Sequence, residues 1–227
     1  MNTLYFLTGT VVVLLVVAGV LWMKKHQPHA SHPFEILPSS EKAKPHPGLR
    51  SKGPADATVQ IIEFSDFQCP ACKNAQVELE KILSEYPGKI HLVFSHFPLA
   101  GHPWSMIAHQ GAECAHQEGK FWEYHDRLYG EQAVWAASAN PTEFLLKYAG
   151  AVGLALEPFA NCLTDKAVTG GILQDKAEGE RLQVKSTPTF FLNGERVVGN
   201  IELGRRGREI VRKALGLPEV PQAQEKV

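Results

Sequence analysis

The first hydrophobic feature of the chain is a long apolar run at its start. Residues 2–23 carry no charged side chain, and an apolar run of about 20 residues is long enough to span a bilayer as a helix. A cleaved signal peptide would have a basic start, a shorter apolar core and a small-residue cleavage site. We therefore favour an uncleaved transmembrane anchor over residues 1–23. Residues 24–53 are rich in proline, histidine, serine and lysine without periodicity, which predicts an extended linker.

After the linker, the pattern predicts a strand, a helix and a second strand. Residues 58–64 and 90–94 are β-branched and apolar, as buried strands are. Between them, apolar positions recur at helical spacing opposite charged ones. These positions are Ala75, Leu79, Ile82, Leu83 and Tyr86. A strand–helix–strand order of this length implies parallel pairing through a right-handed crossover.

The next region is helical. From residue 103 to about residue 184 no strand pattern occurs, and several apolar helical faces predict an inserted helical subdomain. Strands resume at residues 189–192 and 195–198, joined by an Asn-Gly turn typical of tight hairpins. A closing helix follows, with its buried side formed by Leu203, Ile210, Val211, Ala214 and Leu215.

This order of elements predicts an α/β fold. We expect a mixed four-stranded sheet with helices on its faces and a helical insertion between its halves. The globular domain is assigned to residues 54–217, and residues 218–227 are predicted to form a flexible polar tail.

Composition narrows the class of protein. The 227-residue chain has a formal net charge of −1 and 44% hydrophobic residues, which suits one globular domain and gives no reason to expect a nucleic-acid partner. Four cysteines are too few for a disulfide-dense scaffold. Cys69 and Cys72 form a close pair, whereas Cys114 and Cys162 are 48 positions apart. This spacing suggests different roles for the two pairs.

The close pair carries the chemistry. In Cys69-Pro70-Ala71-Cys72, the proline suits the first position of a helix, where a missing N–H costs nothing. Cys69 then lies at the helix N-terminus, which favours an anion. Only the thiolate attacks disulfides, and a low pKa also makes the corresponding disulfide a stronger oxidant. Cys72, one turn further along, is predicted to be the buried thiol that resolves a mixed disulfide.

Two other interpretations of the close pair remain open. A CxxC motif is also half of a zinc site, and His96, His102, His109 and His116 are possible further ligands. The pair could also be two inert core cysteines. We expect no metal and no cofactor. The histidines are interpreted as satisfied surface side chains, with a possible substrate contact for His102.

At this point the sequence resembles the DsbA-like branch of the thioredoxin superfamily. The resemblance is carried by residues 63–72 (Glu-Phe-Ser-Asp-Phe-Gln-Cys-Pro-Ala-Cys), 97–103 (Phe-Pro-Leu-Ala-Gly-His-Pro), 121–125 (Phe-Trp-Glu-Tyr-His) and 187–191 (Thr-Pro-Thr-Phe-Phe). It covers the chain from about residue 53 to residue 216. It implies a thioredoxin fold with an inserted helical subdomain and the activity of a protein thiol:disulfide oxidoreductase.

The resemblance also implies roles for residues outside the cysteine pair. Pro188 would be cis and pack beside the reactive pair, a feature that is maintained only where it is needed. The backbone of Thr187 would pair with an extended substrate segment. Glu63 would be a buried acid that handles protons for Cys72. The alternative for Pro188 is a plain turn proline, and the alternative for Glu63 is an ordinary carboxylate at the edge of a strand.

Two positions depart from the strong oxidants of this family. Ala71 stands where those proteins carry histidine, so one donor to the thiolate is missing. Thr187 resembles isomerase-type relatives instead. Both departures leave the direction of electron flow open.

The resemblance further implies a disulfide between Cys114 and Cys162, because some relatives carry a second bridge in the helical region. The alternative is two separate buried thiols. A lasting bridge requires an oxidising compartment. Lys24 and Lys25 directly follow the apolar run, and by the positive-inside rule alone they would place the domain in the cytoplasm. The resemblance and the bridge outweigh them, so we expect a single-pass inner-membrane protein with its catalytic domain on the exported side.

The predicted function is the introduction of disulfides into exported proteins through Cys69 and Cys72. The predicted partners are reduced or misoxidised protein substrates and a membrane redox partner, either a quinone-linked oxidase or an electron-donating reductase. The main alternative is a membrane-tethered reductase or isomerase of the same fold. A metal-binding or chaperone-like module is a further alternative.

Overall fold

A computed structural model describes residues 50–218 of the chain. The predicted anchor at residues 1–23, the linker up to residue 49 and the tail after residue 218 lie outside the described residues. Within residues 50–218, no helix combines the length and the apolar character needed to cross a membrane.

The described secondary structure follows the predicted order, with additions. Along the chain it comprises β1 (Ser51–Lys52), β2 (Val59–Ser65), α1 (Pro70–Glu85), β3 (Ile90–His96), α2 (Ser105–Gln117), α3 (Phe121–Gly130), α4 (Gln132–Trp135), α5 (Pro141–Ala151), α6 (Leu156–Cys162), α7 (Lys166–Arg181), β4 (Thr189–Leu192), β5 (Glu195–Val198), α8 (Gly199–Glu202), a π-helical turn (Leu203–Gly207) and α9 (Arg208–Ala214). The helical insertion therefore lies between β3 and β4, as expected.

The strands form one mixed sheet in the order β1-β3-β2-β4-β5. β2 and β3 are parallel, and β4 is antiparallel to β2, with Glu63 opposite Phe190. β5 closes the hairpin with β4 through Asn193 and Gly194, whose φ angles are 47° and 89°. Glycine reaches this left-handed region without the steric cost of a Cβ atom. The mixed sheet is thus confirmed.

The prediction of four strands is wrong, because β1 adds a fifth. Ser51 and Lys52 pair antiparallel with Val93 and Leu92 at the edge of the sheet. Two residues are too few to show an alternating pattern, so only the tertiary pairing reveals this strand. Residues 51 and 52, which the sequence places in the linker, therefore pair with the sheet. The predicted domain boundaries remain predictions.

Arg50, assigned to the linker from sequence, is in fact a buried anchor. Its guanidinium forms ion pairs with Glu113 of α2, at 2.7 Å, and with Asp175 of α7. Its Nε also donates to the Phe94 carbonyl of β3. One side chain thus fastens the start of the described chain to the sheet and to two helices of the insertion. Such a buried charge is tolerated because its partners are charged and close.

Two hydrophobic cores fix the position of α1. Its buried side, which includes Ala75, Leu79 and Ile82, packs on the sheet together with residues of β2, β3 and the closing helices. Its first turn, including Cys69 and Cys72, packs instead into the core of the helical insertion. The N-terminus of α1 therefore lies where the sheet and the insertion meet.

The insertion also approaches the sheet closely through α7. A Cβ atom on Gly179 would lie 2.7 Å from the ring of Phe97 and 2.9 Å from that of Phe64. Real Cβ contacts are not that short, so glycine is needed for the helix to lie this near. This contact covers the end of β2, from which the chain enters the reactive loop.

The closing helix is not continuous. A π-helical turn, Leu203–Gly207, separates α8 from α9. Three predicted core positions, Leu203, Ile210 and Val211, are buried, whereas Ala214 and Leu215 are only partly buried. The periodicity predicts the buried face correctly but does not show the π turn.

Candidate active site

Cys69 occupies the N-terminal edge of α1. It is the N-cap residue, with Pro70 at the first helical position, and its side chain is 7% exposed. Its Sγ lies 3.6 Å from the carbonyl oxygen of Thr187, and its own carbonyl accepts hydrogen bonds from the Cys72 and Lys73 amides. The predicted position at a helix N-terminus is therefore present.

The surroundings of Cys69 favour its thiolate. The hydrogen bond from the Cys72 thiol, together with those from the Cys72 and Ala71 amides and the adjacent Thr187, outweighs burial and lowers the pKa of Cys69 to about 5. The Thr187 hydroxyl itself has no hydrogen-bond partner among the described residues. Hydrogen bonds donated to a charged form stabilise that form. At neutral pH the attacking thiolate is therefore the majority species.

Cys72 has the opposite character. It is fully buried, and burial together with the adjacent Cys69 raises its pKa well above the usual value. Its Sγ accepts a hydrogen bond of 3.4 Å from the backbone amide of Asp66. Both cysteines are free thiols in this structure. Their environments thus differ in the way that the predicted attacking and resolving roles require.

We expect the Cys69 thiolate to be measurable directly. Ultraviolet absorbance of the thiolate, recorded on the reduced chain, should rise with a midpoint near pH 5, because the donors around Cys69 lower its pKa to about 5. The Cys69→Ser variant is the control and should lose this step. A midpoint near the ordinary thiol value of 9.0 would contradict the assignment.

The loop before β4 faces this pair. The Thr187–Pro188 peptide bond is cis, as the resemblance implies, and Thr187 contacts Cys69 directly. The Pro188 carbonyl accepts the Gly199 amide at 2.9 Å. The proline thus lies beside the reactive pair. Substrate pairing by the Thr187 backbone remains a prediction.

Glu63 points into the protein from β2. It is fully buried, its Oε1 accepts a hydrogen bond of 2.7 Å from Gln76 of α1, and its Oε2 has no hydrogen-bond partner. Burial raises the pKa of Glu63 to about 7. Ser65, Gln76 and Lys52 lower this pKa, but by less than burial raises it. It is therefore an inward-facing acid that can give or take a proton near neutral pH, not a strand-edge carboxylate.

Sequence reasoning missed the importance of Asp66. The side chain is fully buried. Its Oδ1 accepts hydrogen bonds from the Gln68 amide and the Ser105 hydroxyl, and its Oδ2 accepts them from the Leu99 amide and from His102. All four distances are 2.8 or 2.9 Å. One carboxylate thus joins the reactive loop to α2 and to the segment after β3.

Gln132 is a second missed residue. It lies on α4, a four-residue helix with no sequence pattern, and its side chain is buried. Its Nε2 donates to the carbonyls of Phe67 at 2.7 Å and Cys69 at 2.9 Å. The helical insertion therefore holds the backbone of the reactive loop directly.

The interpretation of the histidines as surface residues is wrong for four of them. His91, His96, His109 and His125 are buried. Burial lowers the pKa of His96 to about 4 and also lowers the pKa values of His109 and His125, so these three are neutral near pH 7. His96 and His109 share a hydrogen bond between their Nδ1 atoms at 2.6 Å. His102 is partly exposed and bonded to Asp66. A histidine alone carries no periodicity, so its burial depends on contacts that the local sequence does not show.

The distant cysteines are joined, as the resemblance implies. Cys114 of α2 and Cys162 at the end of α6 form a disulfide with a Cα–Cα distance of 5.9 Å. Between residues 50 and 218, no three His, Cys, Asp or Glu side chains are grouped as they would be around a metal ion.

Comparison with known proteins gives a family and several relatives. The sequence matches the family described as thioredoxin over residues 47–208. It is 38% identical over 154 residues to Na(+)/H(+) antiporter NhaA 3 of Salinispora tropica, a match that covers 66% of this chain and 23% of that protein. It is 30% identical over 165 residues to Na(+)/H(+) antiporter NhaA of Herminiimonas arsenicoxydans, covering 69% of this chain and 25% of that protein. The chain spans about a quarter of the length of these curated relatives.

Solved structures show the same fold. A thioredoxin-like oxidoreductase from Silicibacter pomeroyi is 26% identical, with 76% of this chain and 95% of that chain covered and a TM-score of 0.64. BdbD from Bacillus subtilis, in its oxidised form, is 23% identical, with 74% and 94% covered and a TM-score of 0.67. Wolbachia pipientis alpha-DsbA1 is 22% identical, with 76% and 95% covered and a TM-score of 0.64. The predicted thioredoxin-like α/β fold is confirmed.

Proposed function

The chain belongs to the thioredoxin family, and we propose that it is a DsbA-like thiol:disulfide oxidoreductase that introduces disulfides into exported proteins. The environment of Cys69 is the observation that supports this direction of electron flow, from substrate to enzyme. The Cys72 thiol and the amides at the start of α1 donate to Cys69 and lower the pKa of its thiol to about 5. They therefore stabilise the dithiol form and make the disulfide form an oxidant. This stabilisation is complete above the ordinary thiol pKa and is lost as the pH falls through about 5.

The proposed reaction begins with the enzyme oxidised. A substrate thiolate attacks Cys69 Sγ, the Cys69–Cys72 bond breaks, and its electron pair leaves on Cys72 Sγ, which takes up a proton. A second substrate thiolate then attacks the substrate sulfur of the mixed disulfide, and Cys69 leaves as a stable thiolate. The substrate gains one disulfide and the enzyme becomes the dithiol.

Reoxidation requires a partner. We assign this role to a membrane redox protein of the quinone-linked oxidase type, which would take the two electrons from the dithiol. The substrates are reduced proteins, and the Thr187 backbone beside Cys69 is the proposed contact for an extended segment.

The proposed location is the exported side of the inner membrane, with residues 1–23 as the anchor. The Cys114–Cys162 disulfide supports this proposal, because such bridges persist in oxidising compartments. The test treats intact cells that express the full chain with a membrane-impermeant reductant and then with a membrane-impermeant thiol reagent, because the proposed reaction leaves the exported pair oxidised at rest. Labelling of Cys69 supports the exported side, and labelling only after lysis contradicts it.

Two residues favour the reverse direction of electron flow, and a reductase or isomerase is therefore the second candidate function. Ala71 supplies only a backbone amide to Cys69, where strong oxidants of this family carry a histidine side chain, and Thr187 resembles isomerase-type relatives. A reductase or isomerase would use the same pair of cysteines with an electron-donating membrane partner. The reduction potential separates these two functions.

We expect the Cys69–Cys72 pair to be more oxidising than thioredoxin, which has a potential of about −270 mV. The measurement is equilibration of the domain with glutathione buffers, followed by trapping of free thiols. Ala71→His is the matched variant and should shift the potential further towards oxidation, because it adds a donor beside the thiolate. A potential near or below that of thioredoxin would contradict the oxidant assignment and favour the reductase.

A further inference from the structure

The loop that leads from β2 into α1 is fixed by hydrogen bonds of its backbone. The Cys69 amide donates to the Asp66 carbonyl at 3.0 Å. The Cys69 carbonyl accepts the Cys72 and Lys73 amides, at 3.1 and 3.2 Å, which close the first turn of α1. Cys69 has φ −76° and ψ 121°, the extended conformation that is usual for an N-cap residue. In this conformation its side chain lies beside the N–H groups that the start of the helix leaves without intrahelical partners.

Gln132 holds the same loop from the helical insertion. A side-chain amide has two N–H donors, and the Nε2 of Gln132 donates to the Phe67 carbonyl at 2.7 Å and to the Cys69 carbonyl at 2.9 Å. The residue is only 5% exposed, and a hydrogen bond shielded from water is electrostatically stronger than one in water. Both donors of the amide are thus used by two carbonyls of the reactive loop.

The short helix α4 fixes the position of Gln132. Trp135, on the same helix, is fully buried, and its Nε1 donates to the Leu128 carbonyl of α3 at 2.7 Å. Glu131 directly precedes Gln132, and its carboxylate accepts the hydroxyl of Tyr148 of α5 at 3.2 Å. Contacts with α3 and α5 therefore determine the point from which Gln132 reaches the loop.

The bond from Gln132 to the Cys69 carbonyl affects the Cys69 sulfur in two ways. It restrains the ψ rotation of Cys69, and so holds the side chain at the start of α1. It also places the partial positive charge of an N–H group on an oxygen of the residue whose sulfur becomes an anion. A carbonyl oxygen has a partial negative charge that opposes a nearby anion, and this opposition is stronger where water is excluded. Gln132 therefore reduces the cost of forming the thiolate.

We propose that Gln132 is a positioning residue for thiol–disulfide exchange, which holds the Cys69 carbonyl so that the sulfur stays at the N-terminus of α1 as a thiolate. Gln132 bonds the backbone of Cys69, so it acts through Cys69. The inserted helices thereby help to set the reactivity of the cysteine pair as well as covering it. This inference rests on the role of Cys69 as the attacking thiol, which is part of the proposed function.

The test is Gln132→Met, which keeps a side chain of similar volume and removes both donors. We expect the absorbance step of the Cys69 thiolate to move upwards from its midpoint near pH 5 by about one pH unit, a tenfold change in the thiol–thiolate equilibrium. Cys72 does not contribute to this step, because burial raises its pKa well above the usual value. Since the thiolate stabilises the dithiol form, the equilibrium with glutathione at pH 7 should move about tenfold towards the enzyme disulfide, or about 30 mV towards the potential of thioredoxin.

Gln110→Met is the matched control. Gln110 of α2 is another side-chain amide of the insertion, and its Nε2 donates to the Thr169 hydroxyl of α7 at 2.8 Å. This variant should leave the absorbance step and the potential unchanged. Urea unfolding of both variants separates a loss of stability from the effect on Cys69. If Gln132→Met does not fold, Gln132→Asn, which keeps a donor amide on a shorter side chain, is measured in the same way and should give a smaller shift in the same direction.

Two results would overturn the proposal. One is an unchanged absorbance step in a folded Gln132 variant, even if its stability falls. The other is an equal shift in Gln110→Met, because the effect would then arise from general loosening of the insertion. Failure of the proposed function gives different results: Cys69→Ser would retain exchange activity, or the potential of the unsubstituted chain would lie near that of thioredoxin while the shift in Gln132→Met remained.

Discussion

Replacing Cys69 with serine is expected to lower thiol–disulfide exchange by about 100-fold or more, to the rate of unassisted thiols. A serine hydroxyl cannot take the place of the thiolate that the start of α1 stabilises. Cys72→Ser is expected to fail differently. Cys69 still attacks, but no thiol resolves the product, so the chain should accumulate as a mixed disulfide with its substrate.

Both outcomes can be read from one experiment. A test protein that carries a disulfide is incubated with each variant in its thiol form, so that Cys69 can attack that disulfide, and covalent complexes are separated on non-reducing gels. The matched control is the Cys114→Ser/Cys162→Ser double variant, which removes two cysteines but keeps the reactive pair. Complex formation by Cys69→Ser, or equal trapping by both single variants, would contradict the assignment of attacking and resolving roles.

The second large effect concerns stability. Removing the Cys114–Cys162 disulfide, whose cysteines are 48 positions apart, should lower the free energy of unfolding by about 4 kcal/mol in the loop-closure model. The bridge ties α2, which carries Glu113 and Ser105, to α6. Without it, the unfolded chain gains conformational freedom while the folded core is kept.

Urea denaturation measures this difference. Both proteins should carry Cys69→Ser and Cys72→Ser, so that the redox state of the reactive pair cannot contribute. The expected result is a lower midpoint with a similar dependence on denaturant. A loss below about 1 kcal/mol would show that the bridge adds little constraint beyond the helix packing.

Local sequence signals predicted the parts of the fold that depend on neighbours along the chain. The alternation in β2, the stripe of α1 and the hairpin turn at Asn193 and Gly194 are all short-range patterns. β1 has only two residues, and the adjacent Arg50 is held by partners far along the chain, Glu113 and Asp175. The π turn in the closing helix likewise follows from packing, which periodicity does not encode.

The candidate site also has a part that local sequence predicts and a part that depends on distant contacts. The position of Cys69 and Cys72 follows from the motif at a strand–helix junction. The burial of Asp66 and of His96 depends on α2 and α7, which lie far along the chain.

The hydrogen bonds of Asp66 and Gln132 limit how far this reactive centre can be moved to another protein. The motif, the strand before it and the helix after it form a continuous stretch that looks transferable. Yet Ser105 and His102 donate to the Asp66 carboxylate of that stretch, and Gln132 donates to its backbone carbonyls. A minimal design that kept the motif and discarded the inserted helices would remove the Ser105 and Gln132 donors. Any design that moves this reactive centre to another protein would therefore have to include the inserted helices.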